Sequence, residues 1–194
     1  MRRDQPSPVV AVYDANVLFP IILCDLLMRL GLAGAVRPHW TKEIHDEWIR
    51  NLLMTRPDLA RAQLERRAEL MDRAIPGAMV DGYSRLIRRF RLPDPDDRHV
   101  LATAIKAGAS RIVTQNTRDF PRTSLAPFGI RAQRPDSFVA DLLDTVPERV
   151  VEAVRKQRQA YTNPSLAVEE LLDSYARSGL NRTAERLARF SGQL

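Results

Sequence analysis

Two short apolar runs restrict this chain most, because each ends on a polar side chain: PVVAVY, residues 8–13, stops at Asp14, and RIVT, residues 111–114, leads to Asn116. Rich in Val and Ile and bounded by turn signals, both read as buried strands. Helical patterns lie between them. Strands that alternate with helices call for an α/β fold, with a mostly parallel sheet flanked by helices. Ligands of such sheets sit outside the carboxyl ends of the strands, which is where Asp14 and Asn116 fall.

Further elements follow from periodicity. Apolar residues from Leu18 to Leu32 recur at helical spacing and close near Gly31 and Gly34, and residues 36–40 form a brief extended piece. Thr41 offers an N-cap for a helix with Ile44, Trp48, Leu52 and Leu53 on its apolar side, although Glu43 stands one place early for a full capping box. A helix is expected over residues 57–74, stopped by Pro76-Gly77, and a short strand over residues 78–80. Pro95 opens a further helix that ends at Gly108, and residues 130–132 suggest another strand. From Pro135 only helical spacing remains, with turn signals at Pro147, Asn163-Pro164 and Gly179. The expected division is therefore residues 8–134 as an α/β domain and residues 135–194 as an all-helical C-terminal extension.

Acids and amides mark four stations in the first domain: Asp14 with Asn16, Glu43 with Glu47, the run Asp94, Asp96 and Asp97, and Asn116 with Asp119. Oxygen ligands converging at the end of a sheet are what a hard divalent cation needs, and such a cation commonly serves phosphodiester hydrolysis. Asp14 is costly to bury unless a cation or a donor meets it. Glu47 sits at the margin of an apolar helix face, whereas Glu43 reads as a solvated helix charge. Either Asp94 or Asp96 can cap the helix that follows, which leaves Asp97, one position inside it, free to face the strand ends. Thr114 closes the second strand with a hydroxyl toward the site. His99 reads as an exposed helix position or a packing contact, and no histidine has zinc-protease spacing.

Charge and composition narrow the class. The chain carries a net charge of +6 from 27 Arg and only three Lys, an attraction for polyanions. Arg85, Arg88, Arg89 and Arg98 are candidates to hold a nucleic-acid phosphate backbone. Cys24 is the lone cysteine, so an intrachain disulfide and a cysteine zinc site are both excluded. No apolar run reaches the ~20 residues that span a bilayer, and MRRDQPSP is followed by no signal segment, so no membrane association and a cytoplasmic location are expected.

Taken together, YDANVLFP after the first strand, DEW on a helix, DDRHVLATAI opening a helix and IVTQNTRDFP closing a strand resemble a PIN-domain ribonuclease, most closely the VapC-type toxins of bacterial toxin–antitoxin pairs. The likeness covers about residues 8–135, and the tail resembles the extension of a longer VapC-like subgroup. It implies a PIN-like, Rossmann-like fold and an endoribonuclease using Mg²⁺ or Mn²⁺. The ligands it implies are Asp14, Glu47 and Asp97, the last favoured over its neighbours by its interval to Thr114. Asn116 stands where many relatives have Asp, so a second metal should bind more weakly, and Asp119 is its rival for that place. Asn16 and Thr114 are possible additional site residues. The partners implied are an RNA substrate, a VapB-like antitoxin and a second copy of the chain.

Other readings compete less well. A HAD-like phosphatase needs a second Asp where Asn16 stands and a Lys near a later strand end, and a receiver domain fails for lack of the same lysine. The serious alternative is a catalytically weak or inactive PIN domain that binds RNA or protein without cutting.

Overall fold

The computed structural model describes residues 7–194. The first six residues, on which part of the signal-segment reading rests, lie outside them. Four strands, β1 (Val9–Tyr13), β2 (Val36–His39), β3 (Arg111–Val113) and β4 (Arg131–Gln133), form a parallel sheet in the order β2-β1-β3-β4. The parallel register sets Tyr13 against Val113 and Ile112 against Ala132. Both apolar runs are thus neighbouring central strands, and their carboxyl ends emerge side by side. This is the α/β architecture that the alternation of strands and helices predicts, and it agrees with the PIN-like fold that the resemblance implies.

The chain divides into two compact units. One holds residues 9–19 and 37–134, and therefore the whole sheet but for Val36. Its helices are α1 (Ala15–Leu18), α3 (Lys42–Thr55), α4 (Arg61–Ala74), α5 (Ser84–Ile87), α6 (Arg98–Ala107) and α7 (Arg122–Leu125). α6 packs on β1 and β3, and α3 packs against α1 and α4. Trp40, Trp48 and Tyr13 are among its largest fully buried side chains, and the rings of Tyr13 and Trp40 stack at 6.5 Å. Gly108 ends α6 at φ 63°, a left-handed conformation that an L side chain resists.

The other unit joins residues 20–36 to residues 135–194. It comprises α2 (Ile21–Leu32), α8 (Pro135–Thr145), α9 (Pro147–Gln159), α10 (Val168–Arg177) and α11 (Asn181–Leu187). α2 packs on α9 and α10, burying Leu23, Leu26, Leu27 and Leu30. Inside this unit the Tyr175 hydroxyl donates to Gln157 Oε1 at 2.6 Å, and Gln157 Nε2 donates to the Ile22 carbonyl at 3.0 Å. No described helix is long and apolar enough to cross a membrane.

Several local expectations need correction. Residues 78–80 form no strand: Met79 makes one isolated parallel bridge to Trp40, because Pro76-Gly77 and Gly82 leave too short an extended piece for a ladder. The helix expected from Pro57 begins at Arg61, since the Arg56–Asp58 ion pair and a turn through Leu59 occupy the intervening residues. α6 begins at Arg98, so Asp97 sits at its boundary and not inside it.

Candidate active site

Asp14 leaves the end of β1 and occupies the N-cap of α1, only 3% exposed. One carboxylate oxygen accepts the Ala15 N–H at 2.8 Å. The other accepts Asn16 Nδ2 and the Thr114 hydroxyl, both at 2.6 Å. Asn16 also accepts the Gln115 N–H at 2.9 Å, and its amide lies 3.0 Å from Thr114 Oγ1, which ties the β1 end to the β3 end. Thr114 is fully buried and accepts in turn the Asn116 N–H at 3.0 Å. Burial raises the Asp14 pKa and Glu47 adds to the rise, against the lowering effect of the Thr114 hydroxyl.

Glu47 approaches from α3, where Thr41 caps the helix by accepting the Ile44 N–H at 3.2 Å. Its Oε2 lies 3.4 Å from His99 Nε2, and Glu43 Oε2 lies 3.8 Å from His99 Nδ1. His99 is 5% exposed, which corrects the exposed half of its sequence reading. Burial disfavours its charged form, but Glu47, Glu43 and Asp14 overcome that and raise its pKa. Periodicity could not find it, because a buried His at the start of an amphipathic helix looks like any core position. Glu43 is half exposed and accepts the Tyr83 hydroxyl at 3.0 Å.

Asp97 is half-buried and makes no capping hydrogen bond. The expected capping role is filled differently: Asp94 accepts the Asp96 N–H at 2.8 Å, closing the preceding turn. Burial, then the charges of Asp14, Asp119, Asp94 and Glu47, push the Asp97 pKa up to about 7. Asp119 exerts that influence from the 3₁₀ turn Thr117–Asp119, where it accepts the Asn116 side-chain amide. Asn116 itself is exposed.

Asp14, Glu47, Asp97 and Asp119 therefore share one electrostatic neighbourhood at the strand ends, in a single compact unit. Among the described residues no three His, Cys, Asp or Glu side chains are arranged to hold a metal ion. Arg85, Arg88 and Arg89 are exposed, while Arg98 is half-buried with its Nε out of solvent.

Residues 10–118 match the model of the PIN domain, the span that carries all the site residues named here except Asp119. The chain belongs to the PIN-domain family. Residues 135–189 match a second model, the VapC50 C-terminal domain, so this PIN domain is followed by the extension its tail resembles. A curated relative, named "Putative ribonuclease VapC50", of Mycobacterium tuberculosis (strain ATCC 25618 / H37Rv), is 40% identical over 97 residues. That match covers 50% of this chain and 57% of the relative, so the chain spans little more than half of the relative's length. No solved structure matches the chain.

Proposed function

We propose that the chain is a metal-dependent endoribonuclease and the toxin of a VapBC-type pair. The observation that carries this reading is the crowding of acids at the sheet ends, with Asp97 pushed up to about 7 by burial and by its acidic neighbours. Carboxylates gathered at such a cost call for a cation to offset their repulsion. The donor types match Mg²⁺ or Mn²⁺ in hardness and charge; because no three of them converge in the cation-free arrangement, Asp14, Glu47 and Asp97 would have to draw together to hold the ion, with Asp119 as a further carboxylate and Asn116 as its anchor. A bound cation supplies charge stabilisation at the phosphoryl group and a more acidic water.

The chain's own groups do the rest. Thr114 and Asn16 orient Asp14 by fixing one of its oxygens. His99 holds Glu47 toward the site and balances part of its charge. Asp97 or Asp14 would take the proton from the attacking water, since burial and acidic neighbours raise the pKa of both. Arg85, Arg88 and Arg89 are free to meet phosphates, with Arg98 in a lesser part. A VapB-like antitoxin, a second copy of the chain and a cytoplasmic setting complete the reading; the VapC50-type C-terminal match supports it.

The non-cutting alternative draws on one feature: Asn116 supplies an amide, already engaged by Asp119, where a fourth carboxylate could stand. Incubation of the protein with end-labelled RNA in Mg²⁺, in Mn²⁺ and in EDTA decides between them. Cleavage that requires the cation and vanishes in Asp97→Asn is expected; binding of RNA without cation-dependent cleavage supports the alternative.

A further inference from the structure

A cavity of about 330 Å³ opens beside the site, between the 3₁₀ turn Thr117–Asp119, α7 and the edge strand β4. Its floor is apolar, made by the buried Phe120, Leu125 and Ile130. Thr117 and two exposed arginines, Arg122 and Arg131, also line it. Neither guanidinium has an ion pair or a side-chain hydrogen bond among the described residues. Two cations kept unpaired over an apolar floor suit a ligand with both an anionic and a flat apolar part.

Continuity with the catalytic acids narrows the ligand. Thr117 follows Asn116, and the same turn carries Asp119, whose charge reaches Asp97. On the other side the Ser124 hydroxyl donates to the Arg91 carbonyl at 3.4 Å, and Phe90 packs edge-on against the exposed Phe128 at 5.5 Å. The cavity thus adjoins the basic segment that holds Arg88, Arg89 and Arg91. An aromatic pair among arginines is a surface on which single-stranded nucleic acid lies well.

We infer that this cavity is a nucleotide subsite: it takes one nucleotide of single-stranded RNA flanking the bond to be cut, its phosphate on Arg122 and Arg131 and its base over the Phe120–Ile130 floor. The inference rests on the ribonuclease reading for its meaning but is tested without cleavage. A fluorescent 2′-O-methyl oligoribonucleotide of ten residues, which resists hydrolysis, is titrated in EDTA at several salt concentrations. Arg122→Gln/Arg131→Gln should raise Kd at least about tenfold and flatten the salt dependence by roughly 0.7 log units per lost phosphate contact. Ala132→Phe, which keeps the charge but fills the cavity, should raise Kd comparably; circular dichroism melts check that both variants fold. Absence of wild-type binding, an unchanged Kd in the double variant, or normal binding by Ala132→Phe would each overturn the subsite. So would capture of a glutamate-rich peptide in place of the oligonucleotide. Cleavage by the wild type, run in parallel with Mn²⁺, separates the two claims: cavity-dependent binding without cleavage sinks the nuclease reading alone, and cleavage with cavity-independent binding sinks the subsite alone.

Discussion

Together with the more deeply buried Asp14, Asp97 bears part of the site's electrostatic cost. Its folded pKa lies near 7 against an ordinary 3.8, so between those values the folded state holds a proton that the unfolded state has released. Stability of the cation-free protein must therefore fall as pH rises from about 4 to 7 on account of this group. In EDTA, thermal melts of wild type and Asp97→Asn should diverge over that window, with the variant losing less; parallel curves contradict the assignment. Asp14→Asn and Asp97→Asn should each lower cleavage at least about a hundredfold while leaving a cooperative melt. Part of this was legible beforehand: the acid after the first apolar run is a local signal for Asp14, and the resemblance to PIN-domain ribonucleases singled out Glu47 and Asp97. Thr114's central place, the burial of His99 and the Asn116–Asp119 pairing were less so. The first two depend on which side chains turn toward one another across about fifty to a hundred residues of chain, which no spacing encodes, and the third on the local 3₁₀ turn that brings residues three apart together.

At the level of elements, α3 carries the Glu47 arm and is fixed at both ends of its first half. Thr41 caps it, and Thr41→Ala should cost about 1 kcal/mol of stability, read by urea denaturation. Further along, Trp48 Nε1 donates to His45 Nδ1 at 2.8 Å, so the remaining ring N–H faces Asp72 Oδ1 at 3.1 Å and the ring is neutral. Burial lowers the His45 pKa below its ordinary 6.5, despite Asp72. Below pH 6.5 the unfolded state takes the proton first, so this contribution is full above that pH and lost as pH falls. His45→Gln should flatten the stability loss of wild type on the acid side; an unchanged acid limb contradicts the neutral ring. Strands and long helices were read correctly because burial imposes a period. The false strand at residues 78–80 and the early start given to α4 came from propensity and proline placement, which tertiary contacts override.

For the whole molecule, the helices after Pro135 form one compact unit with α2. That partnership was not legible, because periodicity tells which face of α2 is apolar and nothing about which later helix covers it. Tyr175→Phe removes the donor to a buried Gln157 oxygen and should cost about 1–3 kcal/mol, measured as a shift of the urea midpoint. A fragment ending at residue 134 leaves Leu23, Leu26, Leu27 and Leu30 without α9 and α10, and should aggregate or bind a hydrophobic dye where the full chain does not.

The central claim, that Asp14, Glu47 and Asp97 act as one cation site, is tested most directly by calorimetric titration of the cation-free protein with Mn²⁺. Wild type should bind the ion, and Asp14→Asn, Glu47→Gln and Asp97→Asn should each weaken it about tenfold or more. Equal affinity in wild type and all three variants would contradict the site.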